Sequence, residues 1–238
     1  MDQRTTERHL GRAQENFDEQ VGDGARSQED RTVAKKKTLV ASEQDRPDVV
    51  EKREQFRRAI LDLKAGRLIF IDETGVNLAR TSLLGRAPRG QRARFKRPAA
   101  RGTNVSVVGA LSGDGIIAFD AKDGAYDGAR FMMFLTNKLV PQLRSGDVVF
   151  MDNVRFHRIA DVRTAIEATG ATLEYLPPYS PELNPIEEAW SFFKNWMRRA
   201  AARDLSTLVD VLVQAMGSLS KAHASAFIKH AGYSAQLS

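Results

Sequence analysis

Val148-Val149-Phe150-Met151-Asp152 is a short, wholly apolar run that ends on a carboxylate. A run of this length, without alternating polar side chains, predicts a strand that is buried on both faces. Such strands lie inside a sheet that carries helices on each side. We therefore expect a central strand at Asp147–Asp152, with Asp152 at its end.

A second run of the same form is Leu68-Ile69-Phe70-Ile71-Asp72, which predicts a strand over Arg67–Asp72. Two aspartates at strand ends face each other if their strands are neighbours in one sheet. Like charges held that close repel unless a cation lies between them, and such pairs are often metal sites. The alternative is that each aspartate only forms a turn or a cap.

The remaining pattern predicts three more strands and several helices. Strands are expected at Val105–Leu111 and Ile116–Asp120, joined by a glycine-containing turn, and at Thr172–Leu176. Helices are expected at Asp127–Leu143, His157–Thr169, Asn184–Ala201 and, in two segments, Leu205–Ala231. The order β, β, β, α, β, α, β, α, α predicts an α/β fold with a mixed five-stranded sheet and helices on both faces.

The chain divides by composition into four parts. Residues 1–47 are polar and predict a poorly ordered or loosely helical arm. Residues 48–66 predict one amphipathic helix that ends at Gly66. Residues 67–201 hold the alternating core, and 202–238 form a C-terminal helical extension.

The bulk composition excludes several classes of protein. The 238 residues contain no cysteine, which excludes disulfides and thiolate metal sites and is compatible with a reducing cytosol. No apolar run approaches the about 18–20 residues that a membrane span needs. The net charge of +6 favours a polyanionic partner such as DNA.

The positive charge is concentrated after the first predicted strand. Between Thr74 and Gly113 there is no acidic residue but there are eight basic ones, namely Arg80, Arg86, Arg89, Arg92, Arg94, Lys96, Arg97 and Arg101. A solvated, charged hairpin is one interpretation. The position directly after an acidic strand end favours contact with DNA phosphates, which would make affinity fall with salt.

A third acidic candidate, Glu187, follows Asn184-Pro185-Ile186 at a predicted helix start. This pattern also fits a capping box, in which Asn184 caps the helix and Glu187 reaches back to the cap amide. Glu188 is a rival carboxylate, and the helical periodicity does not separate the two.

Three motifs resemble those of the DDE transposases of the mariner superfamily, especially its bacterial insertion-sequence branch. They are Ile71–Gly75, Met151-Asp152-Asn153 with His157, and the segment Pro177–Glu187, which reads PPYSPELNPIE. The 34 residues between Asp152 and Glu187 match the spacing typical of that superfamily. The resemblance extends from about Lys35 to Arg199, and its third motif is the most specific.

The resemblance implies a fold of the RNase H-like, retroviral-integrase type and assigns Asp72, Asp152 and Glu187 as the catalytic acids. Carboxylate oxygens suit Mg²⁺ or Mn²⁺, and two such ions would clamp the attacking and leaving oxygens of an in-line displacement. We expect Asp72 to bridge both ions. The implied activity is cleavage at transposon ends, followed by attack of a 3′-hydroxyl on target DNA. Similar enzymes choose a TA dinucleotide as the target. The implied enzyme is a homodimer that acts on the nucleoid in the bacterial cytoplasm.

Other polar and aromatic residues near these acids allow two interpretations each. Asn153 either orients a phosphate or caps a helix, and His157 either assists chemistry or is structural. We expect Trp190, Phe193 and Trp196 to pack in the core, although base stacking is the alternative. Lys194, Arg198 and Arg199 either meet phosphates or form a solvated face.

Similar transposases carry a helix-turn-helix reader ahead of the catalytic domain, and the about 66 residues before the first strand show no such pattern. The sequence therefore allows three functions. They are a strand transferase, a nuclease of the same fold, and a truncated DNA-binding remnant without activity.

Overall fold

A computed structural model describes residues 41–61, 67–79, 87–94, 102–153 and 160–233. The described helices are α1 (Pro47–Leu61), α2 (Gly128–Phe134), α3 (Ala160–Glu167), α4 (Ile186–Ala200), α5 (Leu205–Ser218) and α6 (Lys221–His230). The strands are β1 (Leu68–Asn77), β2 (Asn104–Ser112), β3 (Gly115–Asp123), β4 (Val148–Met151) and β5 (Thr172–Tyr175). None of the described helices is long and apolar enough to cross a membrane.

The five strands form one mixed sheet in the order β3-β2-β1-β4-β5. β1, β2 and β3 are antiparallel neighbours, whereas β1, β4 and β5 run parallel. β4 lies between β1 and β5, and all four of its residues are buried. This confirms the predicted element order and the interior position of the Val148–Met151 strand.

Helices cover both faces of the sheet, because alternate strand side chains point to opposite sides. On one face, Phe70 stacks on Phe150 with ring centroids 5.1 Å apart, and this core includes apolar residues of α1, α4, α5 and α6. On the other face, Ile71 and Met151 pack with α2 and α3. The sheet is thus buried between two helical layers, as the sequence predicts.

The first strand is longer than predicted. β1 continues five residues past Asp72 to Asn77, because β2 pairs with it along its whole second half, from Asp72 opposite Gly109 to Asn77 opposite Asn104. The strand-end position predicted for Asp72 is therefore wrong. Pairing with β2 extends the strand, and the local periodicity of the sequence does not reveal this pairing.

The helix predicted over Asp127–Leu143 is also interrupted. The α-helical part ends at Phe134 and is followed by a wider π-type turn at Leu135–Leu139 and a 3-10 turn at Val140–Gln142. Pro141 has no backbone N–H and cannot continue an α-helical hydrogen-bond ladder. The inward residues Phe131, Phe134, Leu135 and Leu139 are all buried nevertheless.

Candidate active site

Asp72 and Asp152 lie at the same position along two neighbouring strands. β1 and β4 are parallel, and Ile71 opposite Met151 is their last pair. Each aspartate comes directly after that pair in its own chain segment. The condition under which two strand aspartates meet, that their strands be neighbours in one sheet, is satisfied.

Glu187 reaches the site from α4, on the face of the sheet that also carries Asp72. Ile186 and Trp190 of this helix are fully buried, whereas Glu187 is exposed at its first turn. Residues three apart in a helix lie on one face, so Glu187 and Trp190 are neighbours on α4. Burying the apolar stripe of α4 therefore brings the carboxylate of Glu187 toward β1.

The three carboxylates interact electrostatically. Burial raises the pKa of Asp72 to about 8, and the negative charges of Glu187 and Asp152 contribute to this increase. Hydrogen bonds from the backbone of Glu73 and from the Trp190 indole act in the opposite direction. Asp72 is thus the centre of an acidic cluster to which Asp152 and Glu187 both belong.

The carboxylates fit a divalent cation by their chemistry. Hard carboxylate oxygens are the ligands that Mg²⁺ and Mn²⁺ prefer, and a cation would offset the burial and the repulsion that together raise the pKa of Asp72. Within the described ranges, however, no three His, Cys, Asp or Glu side chains are gathered closely enough to hold one ion. The acids therefore form an electrostatic cluster without the geometry of a closed metal cage.

Glu187 and Glu188, the two candidates for the third acid, have different partners in the structure. Glu188 contacts the imidazole of His230 at the end of α6, whereas the charge of Glu187 acts on Asp72. Two consecutive helical residues point in directions about 100° apart, so the two carboxylates differ in these partners although both residues line one cavity with His230.

The capping box that the sequence allows as an alternative at this helix start does not form. α4 begins at Ile186 with Pro185 as its cap, without a capping hydrogen bond from a side chain. The backbone N–H of Asn184 donates to Pro181 in a preceding 3-10 turn, Pro181–Leu183, and its side-chain Oδ1 is buried without a hydrogen-bond partner. The amide that Glu187 would have capped is therefore already used, which leaves this carboxylate available for other contacts.

Trp190 is part of the site in a way that its helical spacing alone does not indicate. Its indole Nε1 donates to Oδ2 of Asp72 at 3.1 Å, and the residue is fully buried. The core positions predicted for Trp190 and Phe193 are confirmed, but Trp196 is 36% exposed, so its predicted core position is wrong. A buried indole N–H needs an acceptor, and this rule is the signal that could have indicated a polar partner for Trp190.

The basic residues fall into two groups. Arg89, Arg92 and Arg94 lie in the described segment 87–94, and all three are exposed. The predicted phosphate contacts Arg86, Lys96, Arg97 and Arg101 lie outside the described residues, as does His157. Asn153 is described and exposed.

Two of the basic residues of α4 line a cavity beside the end of β1. Lys194 and Arg198 border this cavity, which has a volume of about 30 Å³ and a wall formed by Gly75–Leu78. Arg199 is exposed on the same helix. Positive charge therefore lies beside the part of β1 that follows Asp72.

Comparison with known proteins identifies the family. The profile of a family described as "DDE superfamily endonuclease" matches residues 67–209, which is more than half of the chain and contains all three acids. The chain belongs to the DDE superfamily endonucleases.

Solved structures with the same fold include complexes of a mariner transposase. The Mos1 transposase paired-end complex with left transposon end is 15% identical, with a TM-score of 0.63, and the match covers 92% of this chain and 66% of that one. The catalytic domain of Mos1 mariner transposase is 14% identical, with a TM-score of 0.52, and the match covers 83% and 91% of the two chains. At these identities the likeness establishes the fold, which is the RNase H-like one that the motifs imply.

A curated relative matches over a short segment only. It is the uncharacterized protein y4pE/y4sA of Sinorhizobium fredii (strain NBRC 101917 / NGR234), 46% identical over 39 residues. The match covers 16% of this DDE endonuclease chain and 29% of the relative. The chain also spans just under two thirds, 66%, of the Mos1 chain in the paired-end complex.

Proposed function

We propose that this protein is a transposase that cleaves DNA at the ends of a mobile element and joins the new 3′ end to target DNA. The observation that supports the proposal most directly is that Asp72 and Asp152 directly follow the last residue pair of two parallel neighbouring strands, while Trp190, three residues after Glu187 on α4, donates a hydrogen bond to Asp72. The elements that carry three acids of a DDE endonuclease are thus neighbours in the fold although the acids are distant in the chain. The paired-end and strand-transfer complexes of Mos1 have the same fold, which favours DNA ends and target DNA as partners.

Asp72, Asp152 and Glu187 would hold two divalent ions, Mg²⁺ or Mn²⁺, with Asp72 shared between them. Solved Mos1 complexes contain Mn or Mg, which supports this choice of metal. When bound, such ions activate the attacking oxygen and stabilise the leaving one. Because its pKa is raised, Asp72 is mostly protonated at neutral pH, and it must lose this proton before it can act as a metal ligand.

The chemistry then consists of two displacements at phosphorus. In the first, a water molecule loses a proton as its oxygen attacks the phosphodiester, the bond from phosphorus to the 3′-oxygen breaks, and the leaving 3′-oxygen takes up a proton. In the second, the freed 3′-hydroxyl loses its proton and attacks a phosphodiester of the target, whose own 3′-oxygen leaves. Neither step needs a covalent intermediate on the protein.

Basic residues of the chain would position the DNA backbone. Exposed Arg89, Arg92 and Arg94 are suited to phosphate contacts, and Lys194 and Arg198 lie beside the strand that carries Asp72. Bringing two element ends together calls for two catalytic sites, so we also propose that the protein acts as a homodimer when it is bound to paired ends.

A joining assay tests the function. The protein is incubated with Mg²⁺, target plasmid and labelled DNA that carries the ends flanking its own gene with free 3′-hydroxyls. Joined product is expected from the wild type, and none from Asp152→Asn, which should still retard DNA in a gel. Asp210→Asn, an exposed aspartate on α5, is the matched control and should join normally.

Other outcomes of the assay assign other functions. Cut but unjoined product would indicate a nuclease of the same fold, which the family description of an endonuclease also favours. Retarded but unaltered DNA would indicate a binding protein without activity. Unchanged joining by Asp152→Asn would refute the assignment of the acids.

A further inference from the structure

We propose that Trp190 is a positioning residue that fixes the carboxylate of Asp72 through its indole N–H, and that Gly109 is needed to make room for that indole. This inference rests on the proposed role of Asp72 as a metal ligand. It adds a fourth and a fifth residue to a site that the sequence motifs assign to three acids.

The hydrogen bond itself is well placed for orientation. The indole nitrogen has a single hydrogen and cannot accept, so its one polar interaction goes to Oδ2 of Asp72, at 3.1 Å. Trp190 is fully buried and its ring packs against Phe193 with centroids 6.0 Å apart, so the donor is held in place. The indole thus fixes one of the two carboxylate oxygens of Asp72.

The same bond joins two elements of the site. Trp190 lies three residues after Glu187 on α4, whereas Asp72 lies on β1. Holding the indole on Asp72 therefore also fixes how close the helix that carries Glu187 lies to the strand. One contact sets the orientation of one acid and the approach of another.

Gly109 explains how so large a ring fits beside the strand. It is paired with Asp72 in the sheet, and a Cβ added at Gly109 would lie 2.8 Å from Cη2 and 3.2 Å from Cζ2 of Trp190. Its backbone φ is not in the left-handed region, so the absence of a side chain serves packing and not the backbone conformation. Even a methyl group at this position must displace the indole.

Partners that orient a metal ligand typically change metal affinity by about 10–100-fold when they are lost. Trp190→Phe keeps most of the ring and removes the N–H, whereas Gly109→Ala keeps the N–H and displaces the ring. We expect each variant to weaken Mn²⁺ binding by about tenfold, measured by calorimetry on the intact protein.

Two control variants separate positioning from general loss of packing. Phe134→Leu removes buried volume on the opposite face of the sheet, and Gly113→Ala adds a methyl group where no atom lies within 4 Å. Phe134→Leu should lower the melting temperature at least as much as Trp190→Phe. Both controls should leave the Mn²⁺ dissociation constant within about twofold.

A spectroscopic readout tests the hydrogen bond without metal. The chain has two tryptophans, so ¹⁵N-labelled protein gives two indole signals, which Trp196→Phe assigns. Asp72→Asn should move the Trp190 signal and leave that of Trp196 in place. This result does not depend on catalysis or on folding of the Trp190 variants.

The outcomes distinguish this inference from the function on which it rests. If Asp72→Asn abolishes Mn²⁺ binding while Trp190→Phe and Gly109→Ala bind like the wild type, the positioning role is refuted and the metal assignment stands. An indole signal that is unmoved in Asp72→Asn refutes the hydrogen bond itself. If the wild type binds no Mn²⁺, both the metal assignment and the positioning role fail.

Discussion

The residue that links all parts of the site is Asp72. Asp72 lies within β1 and accepts a hydrogen bond from the Trp190 indole. Its pKa is raised by burial and by the negative charges of Glu187 and Asp152. A carboxyl group with a pKa of about 8 is mostly protonated at neutral pH when no cation is present. Protonation of Asp72 therefore competes with metal binding.

The raised pKa predicts how stability depends on pH. The folded state retains a proton on Asp72 up to about pH 8, whereas the unfolded chain loses it near pH 3.8. Since the folded state binds more protons between these values, the contribution is fully present below pH 3.8 and is lost as pH rises through 8. In metal-free buffer, the free energy of unfolding of the wild type should fall by at most about 1.4 kcal/mol for each pH unit of increase. Asp72→Asn should abolish this decrease.

Urea unfolding with a chelator at several pH values between 5 and 8 measures this slope. Asp210→Asn, which changes an exposed aspartate, should keep the slope of the wild type. An identical slope in Asp72→Asn and the wild type would show that Asp72 has an ordinary pKa.

At the scale of elements, the site depends on the register between β1 and β4. Arg67, just before β1, donates to Oδ2 of Asp147, just before β4, at 2.9 Å. The Asp147 side chain is only 3% exposed and also accepts from the backbone N–H of Arg144. This ion pair lies where the parallel pairing of β1 and β4 begins, whereas Asp72 and Asp152 follow its last residue pair.

Breaking the pair should therefore destabilise the sheet. Removing one partner of a fully buried ion pair typically costs about 3–5 kcal/mol, because the other charge is left buried without compensation. Arg67 is partly exposed and also donates to the carbonyl of Gln142, so we expect a loss at the lower end of that range. Asp147→Ala is expected to lower the free energy of unfolding in urea by about 3 kcal/mol. Glu167→Ala breaks the exposed pair with Arg163 on α3 and should cost less than about 1 kcal/mol. Equal losses in the two variants would contradict this role for Asp147.

The sequence predicts elements well where the decisive signal is local. The apolar run before Asp152 and the turn between β2 and β3 identify strands, because both signals lie in residues that are neighbours in the sequence. The full length of β1 depends on pairing with β2, and the start of α4 depends on a 3-10 turn that uses the Asn184 amide. The hydrogen bond from Trp190 to Asp72 joins residues 118 positions apart, which no local pattern encodes.

At the scale of the whole molecule, charge is distributed to suit a polyanion. The protein carries a net charge of +6, and its longest segment without acidic residues follows the first half of β1. Within that segment, Arg89, Arg92 and Arg94 are exposed. We expect this segment to contribute to DNA affinity through phosphate contacts.

Salt dependence measures those contacts directly. Each phosphate contact that is lost should reduce the slope of log K against log salt by about 0.9. Replacing Arg89, Arg92 and Arg94 by Gln should therefore flatten the slope by up to about 2.7 in a fluorescence titration. The control replaces three ion-paired basic residues, Arg58, Arg163 and Lys221, and should change the slope less. Equal effects of the two triple variants would show that only net charge matters.

The central claim is that Asp72, Asp152 and Glu187 jointly bind the divalent metal on which the proposed DNA chemistry depends. Its most direct test is the Mn²⁺ dissociation constant of Asp72→Asn, Asp152→Asn, Glu187→Gln and Glu188→Gln, each measured by calorimetry against the wild type. We predict at least about tenfold weaker binding in the first three and an unchanged constant in Glu188→Gln, whose carboxylate contacts His230. Weaker binding in Glu188→Gln together with wild-type binding in Glu187→Gln would contradict the account.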